Sequence, residues 1–154
     1  MPLNKIAAFA AAGIAAIGLG AGVFAQDVVV DPAIAGMTPE QLVEARQEAM
    51  REDGGILRSA ASLSGAEAVA AADTLIQNFV NFSAMFPEGS IVGDSKALPI
   101  IWEEKEAFDA LFAQAAELSM QMKAAAEAGD SAGIAAAAQQ IGPLCGMCHQ
   151  KYRS

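Results

Sequence analysis

From about Ile100 onward the apolar residues of this chain recur every three or four positions, the spacing of one face of an α-helix. Ile101, Phe108, Leu111, Ala115, Leu118, Met122 and Ala125 form one stripe. Ala128-Gly129-Asp130-Ser131 interrupts it, and Ile134, Ile141, Leu144, Cys148 and Tyr152 form the next. Two more helices lie upstream. Thr38-Pro39-Glu40-Gln41 reads as a helix start: a Thr N-cap, Pro at the first helical position, and Gln placed to close a capping box. The helix it opens should run to about Ser62, with Leu42, Ala45, Ala49, Met50, Leu57 and Ala61 turned inward. Ser64-Gly65-Ala66-Glu67 reads as a second capping box, followed by Val69, Ala72, Ile76, Phe79 and Val80 at helical spacing. Residues 26–37 look like an extended lead-in, and 86–99, with their Pro and Gly, read as the one long loop. Gly54-Gly55 lowers helix propensity inside the first helix. It marks either a kink or break, or a close approach of backbone to a bound group. Pro143 should bend the last helix. With no β alternation, no repeat and no second domain, the expected fold is all-α: an antiparallel four-helix bundle over residues 38–154.

The last helix carries the chemistry. Cys145-Gly146-Met147-Cys148-His149 sets two thiols three positions apart, with an imidazole directly after the second. One turn of helix puts all three side chains on one face. This is the attachment pattern of a c-type haem: each thiol adds across one vinyl group, and the imidazole is held under the iron as proximal ligand. Other uses of these residues fit less well. A structural zinc site wants four ligands, and two Cys with one His would need carboxylates that show no recognisable spacing. A thioredoxin-like Cys-x-x-Cys opens a helix after a buried strand, whereas this one closes an Ala-rich helix. A disulfide across two intervening residues is strained. One covalent haem c, held through Cys145 and Cys148 with His149 on the iron, is therefore the expected cofactor. His149 is the only histidine, so bis-histidine ligation within one chain is excluded.

The N-terminus points to export. Lys5 precedes an uncharged run from Ile6 to Ala25, and Val23-Phe24-Ala25 presents the small residues that a signal peptidase reads. Residues 1–25 are the expected signal peptide; an uncleaved anchor is the other use of twenty apolar residues. Bacterial c-haem is attached outside the cytoplasmic membrane, so a periplasmic location follows. Loss of Lys5 leaves 8 basic residues against 18 acidic ones, a net charge of −10. Such a surface repels nucleic acid and anionic membranes, and no span is expected after cleavage. It suits a basic redox partner, although a charge excess is equally a solvated surface.

From about Met37 to its end the chain resembles the cytochrome c′ family, the helical-bundle class of c-type cytochromes. The resemblance rests on Arg46-Gln47-Glu48-Ala49-Met50 in the first helix, on Ile101-Trp102 with Phe108 in the third, and on the haem motif with Tyr152-Arg153 in the fourth. The motif's place at the C-terminus separates the chain from the ordinary cytochrome c fold, where it comes early. The resemblance implies that Arg46 meets a haem propionate, with Gln47 beside it, and that Arg153 lies by the proximal pocket. Ser90 is a weaker candidate at the haem edge. A helix arginine paired with a carboxylate is the plain alternative for Arg46, and a C-terminal cation favouring the helix dipole is that for Arg153.

Met50 falls on the family's distal side, and the sixth coordination position decides function. Bound to iron, Met50 fills that position and the protein is an electron carrier; Met85-Phe86-Pro87 and the stretch from Ser95 to Trp102 resemble that low-spin branch. Merely packed against the iron, it leaves a five-coordinate haem that binds nitric oxide or carbon monoxide in a protective or storage role. Met85, Met120 and Met122 are poorer ligands, and Met147 is confined between the two Cys. An enzyme is not expected, because no distal His moves protons and both thiols are consumed by haem. The family often pairs through its first two helices, and Ala-rich faces here permit a homodimer.

Overall fold

A computed structural model describes residues 28–154; the expected signal peptide, 1–25, lies outside them. The helices are α1 (Pro39–Ser59), α2 (Gly65–Phe82), the single turn α3 (Ile100–Glu103), α4 (Lys105–Glu127) and α5 (Ser131–Tyr152). The four long ones form the bundle. Among the described residues there is no strand, only an isolated antiparallel bridge between Ala97 and Arg153. None of their helices is long and apolar enough to cross a membrane.

Local chemistry sets most of the helix ends. Thr38 Oγ1 accepts from the Gln41 amide at 3.3 Å, and Gln41 Oε1 accepts from the Thr38 amide at 2.8 Å, closing the expected capping box. The α4–α5 link is a Schellman turn. Gly129 sits at φ +70°, the Asp130 amide donates to Ala125 O at 2.8 Å, and the Gly129 amide to Ala126 O at 3.1 Å. Asp130 Oδ1 then caps α5 by accepting from the Gly133 amide at 2.9 Å.

Several local features differ from the sequence pattern or add to it. The Ser64 side chain makes no capping bond, and Gly65 turns the chain into α2 at φ +53°, a conformation that favours glycine. α1 runs unbroken through Gly54-Gly55, then tightens into a 3-10 turn over Ala60–Ser62. That tightening advances the inward face, so Ala60 is buried and Ala61 exposed. The third helix breaks at Glu104, whose backbone leaves the helical region at φ −119°, ψ 36°. Its carboxylate accepts from Tyr152 Oη at 3.0 Å and pairs with Lys151, so contacts with the chain end hold it there. The lead-in contains a 3-10 turn, Pro32–Gly36, which seats Ile34 in the core; the Asp31 amide and Val29 O bond Asn81 and Gln77 on α2. α5 is continuous through the exposed Pro143.

Small residues let three helices close tightly. Ala68 and Ala72 on α2, Ala115 and Ala116 on α4, and Ala137 and Ala138 on α5 are all buried. Fully buried Phe82, Phe108, Leu75, Ile101, Met122, Ile134 and Ile141 fill the space between, each contributing about 1.5–3 kcal/mol by leaving water. α1 packs less extensively. It carries Glu40, Glu44, Arg46, Glu48, Arg51, Glu52 and Asp53, so its apolar strip is narrow. A helix with so little apolar surface leans off the other three, and the gap it leaves is the site.

Candidate haem site

The cleft between α1 and α4–α5 has two adjoining chambers, of about 390 and 270 Å³, and Met50, Cys148 and His149 line both. The outer chamber opens at the end of the bundle where α5 finishes. Its back wall is Phe86, Ile101, Phe108 and Tyr152; Phe108 meets Phe86 and Tyr152 edge-on at 5.0 Å each. The inner chamber is walled by Leu57, Phe79, Phe82, Leu111 and Phe112, with Cys145 on its α5 side. Helical spacing thus does on α5 what the motif requires, turning both sulfurs toward the same cavity. Both thiols are free.

Burial sets the protonation of these groups. It raises the pKa of Cys145, with a smaller push from Asp53, and drives Cys148 up to about 11 with a push from Cys145. Both are therefore neutral thiols at pH 7. Partial burial and then the charge of Arg153 hold His149 below the ordinary imidazole value, which favours the neutral base that a metal ligand must be.

Arg46 is buried in the floor of the outer chamber, 3% exposed, and pairs with no carboxylate. Its guanidinium donates from Nη1 to Met85 O at 2.9 Å and to Ser90 Oγ at 3.3 Å. From Nη2 it donates to Ser90 O at 2.8 Å and to Ser95 Oγ at 2.9 Å. It also lies 4.4 Å over the Phe86 ring. One side chain thus ties the long loop to α1 and makes that loop a wall of the cleft. Desolvation lowers its pKa, and the fork of bonds offsets the cost of burying the charge. Ser90 faces Arg46 and is absent from the chamber lining; Ser95 lines it instead.

Gln47 and Arg153 stand at the mouth of the outer chamber, and Gln47 Nε2 donates to Asp94 at 3.4 Å. Arg51 and Lys96 stand with them, and no Asp or Glu lines that chamber. The sequence reading missed both cations, and also Asp53, a buried acid on the inner wall. Asp53 follows Met50 by three positions and shares its helix face, the one signal that could have found it. Lys96 had none, because only the tertiary fold brings the loop to the mouth. The chain end completes that wall: the Leu98 amide donates to Tyr152 O at 2.9 Å and the Ser154 amide to Lys96 O at 2.8 Å.

The residues fit a covalently held haem. Two neutral thiols and a neutral imidazole share one flank, the walls are aromatic and aliphatic, and the cations at the mouth are the kind of partner that two propionates would need. Among the described residues no three His, Cys, Asp or Glu side chains cluster as a metal site.

Fold and site together define a c-type haem protein built on a four-helix bundle. Residues 40–153 match the sequence profile of the family described as Cytochrome C′. The chain is 41% identical over 120 residues to cytochrome c-556 of Agrobacterium tumefaciens (strain II Chrys), covering 72% of this chain and 95% of that one. It is 27% identical over 123 residues to cytochrome c′ of Pararhodospirillum photometricum, covering 75% and 98%. The ferric cytochrome c′ structure from Alcaligenes xylosoxidans superposes with a TM-score of 0.64 at 28% identity, covering 76% of this chain and 96% of that one. The chain belongs to the cytochrome c′ family, and its cofactor is haem c.

Proposed function

We propose that this protein is a periplasmic electron carrier, exported by residues 1–25, in which Cys145 and Cys148 hold the haem, His149 is the proximal ligand and Met50 the sixth. The observation that carries the reading is the placement of Met50 and His149 on both chambers of one cleft, on the two helices that flank it. The haem supplies a one-electron couple at its iron, and thioether ligation raises the potential of such a couple. The chain's own residues do the rest. Met50, half-buried on α1, is held by its helix rather than by a loop, so its position changes little with oxidation state. Phe86, Phe108 and Phe112 exclude water from the iron's neighbourhood. Arg46, Gln47 and Arg153 receive the propionates, with Arg51 and Lys96 beside them, while Arg46 also holds the loop wall shut. The acidic exterior suits a partner with a basic face.

No enzymatic role is proposed. The cleft contains a single imidazole, assigned to the iron, and both thiols are neutral and assigned to thioethers. One observation favours the alternative, a five-coordinate haem that binds nitric oxide or carbon monoxide: the apolar inner chamber beside Met50 suits a small neutral gas. Optical spectra of the holoprotein, ferric and ferrous, with and without carbon monoxide, decide between them. The carrier shows a low-spin spectrum with a sulfur-to-iron charge-transfer band and no response to the gas. A high-spin spectrum that shifts promptly with the gas overturns Met50 ligation. Sedimentation equilibrium tests pairing of two copies through α1 and α2.

A further inference from the structure

One polar group in the cleft has no part in the roles above. Asp53 is 4% exposed, on the wall of the inner chamber that Cys145, Cys148 and His149 line from α5. Asn78 Nδ2 donates to its Oδ1 at 2.7 Å. Its Oδ2 is the one buried side-chain nitrogen or oxygen among the described residues without a hydrogen-bond partner. A buried carboxylate with an unmet oxygen carries a large desolvation penalty; the neutral acid carries far less.

The surroundings leave its charge weakly balanced. Glu52 and Arg58 face it from α1, and Cys145, Cys148 and His149 from α5. α2 presents Asn78, Phe79 and Phe82, and α4 presents Leu111, Phe112 and Ala115, none of them titratable. Burial pushes the carboxyl up to about 7, against the pull of the Asn78 bond and with a push from Glu52. The exposed Glu52 carboxylate accepts from the same Asn78 amide at 3.3 Å, so solvent lies within one side chain of the buried acid.

A carboxyl so placed must respond to a change of charge at the iron. An added electron favours its neutral form, and a removed electron favours its anion. The coupling is reciprocal: whatever the iron does to the acid, the acid does to the iron.

We propose that Asp53 is a redox-linked proton site, which takes one proton from solvent when the haem iron takes one electron from its donor protein and returns it when that electron leaves. Only the Asp53 O–H bond is made and broken. The inference rests on haem attachment in this cleft and not on the state of Met50, since either coordination places the charge change in the same cavity.

The test is the midpoint potential of the holoprotein from pH 5 to 9, for the wild type and for Asp53→Asn, after the ferrous spectrum has established full haem content. In the wild type the potential falls with rising pH over part of the range. There the electron affinity changes by up to tenfold per pH unit, about 59 mV for a one-electron couple. Asp53→Asn is flat over that stretch and keeps the wild type's acid-side value. The redox infrared difference spectrum shows a protonated-carboxyl band in the reduced wild type that the variant lacks. Asn78→Ala, which removes the bond favouring the anion, moves the break to higher pH and decides the matter if Asp53→Asn does not load haem. A flat wild type, an Asp53→Asn that keeps the slope, or an Asn78→Ala that leaves the break in place overturns the proposal. A wild type with full haem that responds to carbon monoxide defeats Met50 ligation alone, and one without covalent haem defeats both readings.

Discussion

Two charged residues on α1 are buried, and each is handled differently. Arg46 is satisfied by a fork of bonds into the loop, so its charge stabilises the wall it touches. Lysine at position 46 keeps the charge and loses the fork; Arg46→Lys should cost about 2–3 kcal/mol in denaturant unfolding. Asp53 is left with an unmet oxygen, and its stability contribution runs the other way. Its carboxyl sits at about 7 in the fold against an ordinary 3.8, so between those values the folded chain holds a proton that the unfolded chain has released. Stability therefore falls as pH rises through that window. Asp53→Asn should gain about 2–4 kcal/mol relative to wild type between pH 4 and pH 8, read from unfolding curves at the two values. At this scale the haem motif was legible, since five consecutive residues carry its chemistry. The resemblance also pointed to Arg46 and Met50, and both line the outer chamber. Asp53 was not legible: beyond its place on the face of Met50, nothing in sequence distinguishes a buried acid from the seven other charged residues of its helix.

At the scale of elements, caps and periodicity accounted for the four long helices, and local exceptions came from tertiary contacts. Gly54-Gly55 does not break α1, because packing of Ala49, Met50, Ile56 and Leu57 against the core carries the helix across a weak stretch. Gly54 lines the inner chamber, while a side chain at Gly55 meets nothing within 4 Å. Gly55→Ala should therefore stabilise the protein by about 0.5–1 kcal/mol, measured as a rise in the unfolding midpoint, with an unchanged haem spectrum. A loss of stability there would assign Gly55 to close backbone approach. The break at Glu104 was illegible for a related reason: the apolar stripe continues past it, and the contacts that hold it come from Lys151 and Tyr152, nearly fifty residues away.

For the whole molecule, the decisive quantity is the unevenness of packing among the helices. Three close on alanines and a ladder of phenylalanines, while α1 leans away and leaves room for a large flat group. A cleft of this kind is stabilised by what fills it, since a bound group favours the folded state alone. Cys145→Ala/Cys148→Ala should yield a chain with no acid-resistant haem in the pyridine haemochromogen assay and with a lower thermal midpoint. A covalent haem retained in that variant would exclude these thiols as the attachment points.

The sequence by itself determined what depends on neighbours along the chain: the helices, by 3.6-residue periodicity and side-chain caps, and the haem motif, because one helical turn aligns its three side chains. Tertiary structure alone decided what depends on distant segments. It buried Arg46 under the loop, gathered Lys96, Arg51 and Arg153 at one mouth, and left Asp53 with an unpaired oxygen inside the cleft. The physical reason is that burial and charge environment belong to the space between elements, and that space is set by how closely whole helices can approach.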